Sequence, residues 1–168
     1  DAILEQAAQG DVVSAANFNS PDQVVIAGHA TAVARAVELA KAAGARRAVL
    51  LPVSAPFHCS LMKPAQERLR ADLDAAGFCD LRVPLVNNWQ AREVLTGAEA
   101  REGLYQQVPN PVLWTGTVRY LISRGVDRFI EVGPGTVLLG LLRGIDPAVK
   151  GFKFGESEDW EKVNEAFG

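Results

Sequence analysis

Histidine is scarce in this chain: there are two, His29 and His58. His58 is the one whose setting suggests chemistry. It sits in Val53-Ser54-Ala55-Pro56-Phe57-His58-Cys59-Ser60-Leu61-Met62, between an apolar stretch at 48–51 and a long amphipathic pattern. Imidazole titrates near neutrality, so it can take a proton and return it within one cycle. Pro56 removes a backbone donor and stops the segment from running on as a ladder-bonded strand. A histidine in a loop between regular elements is well placed for a general base, the alternative being one that only packs. Cys59 adjoins it, but neighbours in an extended segment point to opposite sides, which argues against a nucleophile–base pair. Cys59 reads as a small buried residue and Cys79, after a helix end, as inert. His29 reads as a surface turn residue.

Other chemistry-bearing patterns are weak. The two cysteines lack metal-ligand spacing, and no carboxylate cluster accompanies the histidines, so no metal is expected. No Gly-x-Ser-x-Gly elbow occurs. The nearest run, Gly155-Glu156-Ser157-Glu158-Asp159, lacks the final glycine and is acidic where an elbow is tight. A nucleophile for His58 is therefore not evident. Gly133-Pro134-Gly135 invites a phosphate-loop reading, but it has no following Lys-Ser/Thr and its proline removes a donor. A structural turn is preferred. Arg46-Arg47 is a solvated pair or a contact for an anionic substrate. Gln107 could hold a partner through its carbonyl, a reading that carries nothing alone.

The elements that must position these residues follow from periodicity and breakers. Residues 2–9 read as a short helix stopped by Gly10. Strands at 12–18 and 23–27 flank Asn19-Ser20-Pro21-Asp22, a hairpin with a longer loop. Thr31 is a candidate cap for a helix over 32–43, and 46–51 reads as a third strand. The order α-β-β-α-β is that of a ferredoxin-like unit without its first strand. That strand would be central, so 46–51 would lack a neighbour. After the His58 loop, the spacing predicts a helix over 63–76, a strand over 81–87 with Pro84 inside, and a helix from Thr96 through Gln107. Asn110-Pro111 reads as the start of another helix. A strand at 128–132, a nearly all-apolar and hence buried helix at 136–142, and an acidic helix capped by Ser157 complete the chain. Alternating helix and strand argue for a layered α/β unit.

Bulk composition agrees with a folded domain. The 168 residues are 48% hydrophobic and 22% charged, which is globular rather than disordered. A net charge of −3 gives no support to nucleic-acid binding. No apolar run approaches a membrane span, the first residues lack the features of a signal peptide, and two cysteines suit a reducing cytoplasm.

Several stretches together resemble the malonyl-CoA:acyl-carrier-protein transacylases. They are Asn17-Phe18-Asn19-Ser20-Pro21-Asp22-Gln23-Val24-Val25-Ile26-Ala27-Gly28, the His58 loop, Gln107-Val108-Pro109-Asn110-Pro111-Val112-Leu113-Trp114, and Glu131-Val132-Gly133-Pro134-Gly135-Thr136-Val137-Leu138. The resemblance implies an α/β fold with an α+β insert. Residues 1–52 would be an incomplete ferredoxin-like subdomain, and 53–168 the C-terminal portion of an α/β-hydrolase-like acyltransferase subdomain. It implies malonyl transfer from malonyl-CoA to the phosphopantetheine thiol of acyl carrier protein through an acyl-serine, as in type II fatty acid synthesis. No cofactor is expected. His58 matches the general base, and Gln107 the residue whose backbone carbonyl orients the imidazole in place of a protease aspartate. Asn17 and Asn19 match positions near the site mouth. Arg46 and Arg47 match positions on the coenzyme A or carrier-protein phosphate side. Phe57 matches the position where related polyketide acyltransferases pair Phe with malonyl and a smaller residue with methylmalonyl.

The family's Gly-His-Ser-x-Gly elbow, carboxylate-binding arginine and oxyanion glutamine are absent from this sequence. The expectation is a C-terminal part of such an enzyme, inactive alone, with apolar surface left for the missing N-terminal segment. Two other readings stay open: a non-catalytic module binding acyl carrier protein or coenzyme A, and a piece of a polyketide synthase acyltransferase domain.

Overall fold

A computed structural model describes residues 1–168. Helix α1, Ala2–Ala8, ends where Gln9 and Gly10 turn left-handed, at φ 46° and 93°. Strands β1, Val13–Ser20, and β2, Gln23–Gly28, pair antiparallel. Ser20 faces Gln23, so the turn is the two residues Pro21-Asp22 rather than the longer loop expected. Helix α2, Ala30–Ala42, lies on α1 through the buried small residues Ala7, Ala32 and Ala36. Arg35 joins the two helices: its Nε donates to Ala7 O at 2.7 Å and Nη2 to Ala8 O at 2.8 Å, satisfying carbonyls at the end of α1. Thr31 does not cap α2. His29 holds the cap position, and Thr31 Oγ1 donates instead to Asp11 Oδ2 at 2.8 Å. Gly28 is required by close approach, since a Cβ there would lie 2.1 Å from Val12 O.

Residues 46–51 are not a strand. They have no ladder partner and open on a bend at Arg46, and Val49, Leu50 and Leu51 are exposed. The residue types favour β structure, yet a strand exists only with a neighbour to take its N–H and C=O groups.

Helix α3, Lys63–Ala75, is entered through a 3-10 turn at Ser60–Met62. The strand expected over 81–87 shrinks to β3, Leu85–Val86, paired antiparallel with β4, Glu93–Val94, which sequence reasoning missed. Helix α4, Gly97–Gln107, begins with a reciprocal capping box between Thr96 and Glu99. Helix α5, Trp114–Ser123, starts later than Asn110-Pro111 implies. Asn110 Nδ2 reaches back to Gln106 O at 2.7 Å and closes α4, while Val112 and Leu113 donate their N–H groups to Ala16 O and Asn88 O. Those donors are therefore committed across the fold.

Strand β5, Arg128–Val132, pairs parallel with β6, Lys150–Phe154, through helix α6, Val137–Ile145. Strand β6 was not anticipated. The core of the chain is Val118, Leu139 and Leu142, with Trp114, Ile122 and Phe129 packed round it. Helix α6 is not wholly buried: Val137 is 72% exposed and Leu138 is also open. A second 3-10 turn, Ser157–Asp159, leads into α7, Trp160–Phe167, which lies on β6 through Phe152–Phe167 and Phe154–Trp160 ring contacts.

The architecture is mixed α/β with three two-stranded sheets. Its surface is large for its mass. A folded 18.0 kDa monomer exposes about 8,000 Å² by size scaling. This chain exposes 10857 Å². The excess, about 2,800 Å², is several times one partner's share of an ordinary interface, about 800 Å².

Candidate active site

His58 stands in the left-handed region at φ 61°, uncommon for a residue with a Cβ. The residues beside it hold it there. Cys59 is fully buried, its thiol donates to Pro56 O at 3.1 Å, and its carbonyl accepts from Met62 N at 2.9 Å as the 3-10 turn begins. Cys59 is thus the anchor of the loop. Phe57, before the histidine, is 51% exposed.

The imidazole meets the end of α4. His58 Nδ1 lies 3.1 Å from Gln107 O. A carbonyl only accepts, so Nδ1 carries the proton and Nε2 keeps the basic lone pair. Pro111 explains why that carbonyl lacks its helical donor, the only backbone N–H on it being Asn110 N in a long turn bond of 3.4 Å. Its helical donor would be the N–H four residues on, and proline has none. The Gln107 side chain secures the same turn, its Nε2 donating to Asn110 O at 2.9 Å and Pro111 O at 3.3 Å. Sequence reasoning read Pro111 as a helix-start residue. The signal it missed was the spacing of four from Gln107.

The hairpin approaches this turn from the other side. Asn17 forms a parallel bridge with Val112, with Phe18 N donating to Val112 O at 2.9 Å. Thr115 Oγ1 donates to Phe18 O at 3.0 Å. Asn19 lies farther along β1, its Nδ2 3.4 Å from Gln23 Oε1. Arg46 and Arg47 are exposed and make no ion pair, and no contact ties them to His58. His29 serves the backbone instead, its Nδ1 accepting from Val12 N at 2.9 Å.

The glycine turn after β5 holds no room for phosphate at the helix end. Glu131 Oε1 and Oε2 accept from Leu138 N and Leu139 N at 3.0 and 2.9 Å, so a carboxylate of the chain itself takes the anion position. No group of three or more His, Cys, Asp or Glu side chains gathers. The perturbed acids belong to turns and caps away from His58. Asp11 is held below the usual range by its bonds from Thr31 and Arg35, Glu99 by the Leu95 N–H and Arg92, and Asp159 by the Gly155 N–H.

Residues 1–150 match the family model of the acyl transferase domain. The chain belongs to the acyl transferase domain family. It is 52% identical over 141 residues to the malonyl CoA-acyl carrier protein transacylase of Escherichia coli (strain K12), a match covering 84% of this chain and 46% of that protein. Against the Bacillus subtilis (strain 168) transacylase the identity is 42% over 153 residues, 91% and 48% of the two chains. A malonyl transacylase solved in complex with a type II polyketide acyl carrier protein superposes with TM-score 0.95 at 41% identity, covering 99% of this chain and 54% of that one. An acyl carrier protein S-malonyltransferase from Vibrio cholerae gives TM-score 0.94 at 42% identity, covering 96% and 53%. The resemblance to transacylases read from the motifs is therefore shown. This acyl transferase chain spans about half the length of the curated relatives it matches. No helix in it is long and apolar enough to cross a membrane.

Proposed function

We propose that this chain is the base-bearing part of an enzyme that moves malonyl from malonyl-CoA to the phosphopantetheine thiol of acyl carrier protein. The observation that carries the reading is the 3.1 Å contact between His58 Nδ1 and Gln107 O, which leaves Nε2 as a base of fixed orientation. The nucleophilic serine belongs to polypeptide beyond these 168 residues. His58 Nε2 takes the serine proton as the oxygen attacks the thioester carbonyl. The resulting imidazolium keeps its Nδ1–H on the Gln107 carbonyl and delivers the other proton to the departing coenzyme A sulfur. In the second half the steps run in reverse. His58 accepts the phosphopantetheine thiol proton, the thiolate attacks the acyl-serine ester, and the proton returns to serine. A neutral amide carbonyl orients the ring as a carboxylate does in a protease, with less stabilisation of the cation.

Phe57 faces the acyl group in this reading and favours malonyl, because its ring leaves no room for an α-methyl. Asn17 and Asn19 border the mouth, and the unpaired Arg46 and Arg47 meet phosphates of coenzyme A or the carrier. Residues 1–52 form the ferredoxin-like insert and 53–168 belong to the large subdomain. The enzyme works in the cytoplasm without a cofactor, and the preceding part of the longer polypeptide covers the exposed strip at 49–53. The names of the relatives, and the one solved with its carrier protein, support the substrate and partner. The test is His58→Ala in the longer polypeptide, assayed for malonyl transfer to acyl carrier protein. The expected loss is at least about 10²-fold, the low end for a general base. Unchanged transfer would remove His58 from the mechanism.

A further inference from the structure

The last turn of α4 singles out a residue the mechanism above does not use. A helix leaves its final carbonyls without helical donors. In α4 two of them are stranded by covalent structure, because the residues four positions on from Tyr105 and Gln107 are Pro109 and Pro111. Gln107 O faces His58 Nδ1 at 3.1 Å, with Asn110 N farther off at 3.4 Å. Tyr105 O accepts from Gln66 Nε2 at 3.1 Å. Between them, Gln106 O takes Asn110 Nδ2. Gln66 is 6% exposed, one of the few polar side chains the fold buries.

Both outside donors come from one piece of chain. His58 is followed by the Cys59 anchor and the 3-10 turn, and that turn runs directly into α3, whose first turn carries Gln66. The His58 loop and α3 therefore dock on the end of α4 at two nearby carbonyls. The remaining α3–α4 contacts hold side chains rather than backbone: Tyr105 Oη donates to Glu67, the Arg70 guanidinium lies 3.7 Å over the Tyr105 ring, and Arg101 pairs with Asp74 at 3.4 Å. All lie nearer solvent than the Gln66 amide.

We propose that Gln66 is a positioning residue for His58. Its buried amide, bonded to the carbonyl that Pro109 strands, sets the approach of α3 to α4 and so holds His58 Nδ1 on Gln107 O. The proposal rests on the reading of His58 as general base. Without the amide, Tyr105 O is a buried acceptor with no donor, and the end of α4 relaxes toward water. The distance that tautomer and orientation of His58 depend on then lengthens.

The two histidines supply an internal control. His58 Nδ1 faces an acceptor and bears the proton, whereas His29 Nδ1 accepts from Val12 N, placing its proton on Nε2. Imidazole nitrogen-15 spectra of the longer polypeptide, with the two rings picked out from its other histidines by His58→Asn and His29→Asn, should show His58 and His29 as opposite tautomers. Gln66→Met keeps length and removes the donor. It should move His58 toward the Nε2–H tautomer and lower kcat for malonyl transfer about tenfold, with KM for malonyl-CoA unchanged within about twofold and His29 unmoved. A lower melting temperature with His58 tautomer and kcat both unchanged would overturn the proposal. Pro109→Ala leaves Gln66 in place and supplies a competing helical N–H. It should shift His58 the same way, and an unmoved His58 tautomer there would also overturn it, even if Gln66→Met fails to fold. Full transfer by His58→Ala would sink the general-base reading instead, a result the tautomer measurement does not share.

Discussion

Truncating Leu50 to alanine should have different consequences in two polypeptides. Leu50 is 70% exposed in the unpaired segment between α2 and the His58 loop. Full burial of a leucine side chain contributes about 1.5–3 kcal/mol. With only the remainder of Leu50 covered, Leu50→Ala should cost less than about 1 kcal/mol in the 168-residue chain. In the longer polypeptide, with the segment covered on both faces, the same change should cost about 2–5 kcal/mol, since a cavity is added to the lost transfer energy. The surface excess of about 2,800 Å² is the reason to expect covering on this scale, because it far exceeds what one peripheral contact hides. Urea denaturation midpoints of each polypeptide, with and without the substitution, measure both costs. An equally small cost in the two would show that Leu50 stays exposed and that the surface excess has another origin.

Two further outcomes follow from local geometry. Glu131→Gln removes the charge and one of the two oxygens that accept from Leu138 N and Leu139 N, so a loss of about 1 kcal/mol is expected, after discounting for partial exposure. That is a fall of about 2–4 °C in Tm for a chain of this size, and an unmoved Tm would refute the capping role. Asp11, Glu99 and Asp159 have folded-state pKa values below their unfolded ones. Their stabilisation is present above the unfolded values and disappears as pH falls through the folded ones. Tm should therefore drop below about pH 4.5, and Glu99→Gln should flatten that limb; a parent chain whose Tm rises on acidification through this range would contradict it.

Much of the fold was legible because its signals are local. The Thr96–Glu99 box marks the start of α4, and the stop at Gly10 and the strand at Arg128–Val132 fall where residue type and spacing put them. Such features need only a few neighbouring residues to decide them. The errors fall where a distant partner intervened. Residues 46–51 have strand composition and no strand beside them. Asn110-Pro111 has the form of a helix start, but the side chain of Asn110 closes the helix before it. The apolar α6 buries Leu139 and Leu142 while its first two residues, Val137 and Leu138, stay open. Strand β6 is defined by its register against β5, which no local pattern of Lys150–Phe154 announces.

The site divides the same way. By itself the sequence determined which chemistry was available: a single histidine in a proline-bounded loop, a glutamine followed by prolines two and four positions on, and no nucleophile elbow. Those facts are covalent, as is the absence of an N–H at Pro109 and Pro111. The resemblance already paired the Gln107 carbonyl with His58; only the tertiary structure decided that Gln66 takes the Tyr105 carbonyl. A stranded carbonyl accepts from whichever donor packing delivers, and here α3 brings His58 to Gln107 and Gln66 to Tyr105 across separations of 49 and 39 residues. Hydrogen bonds at such separations depend on the burial that sets helix against helix, so no local pattern of either segment announces them, and the one between His58 and Gln107 was legible only through the family motifs.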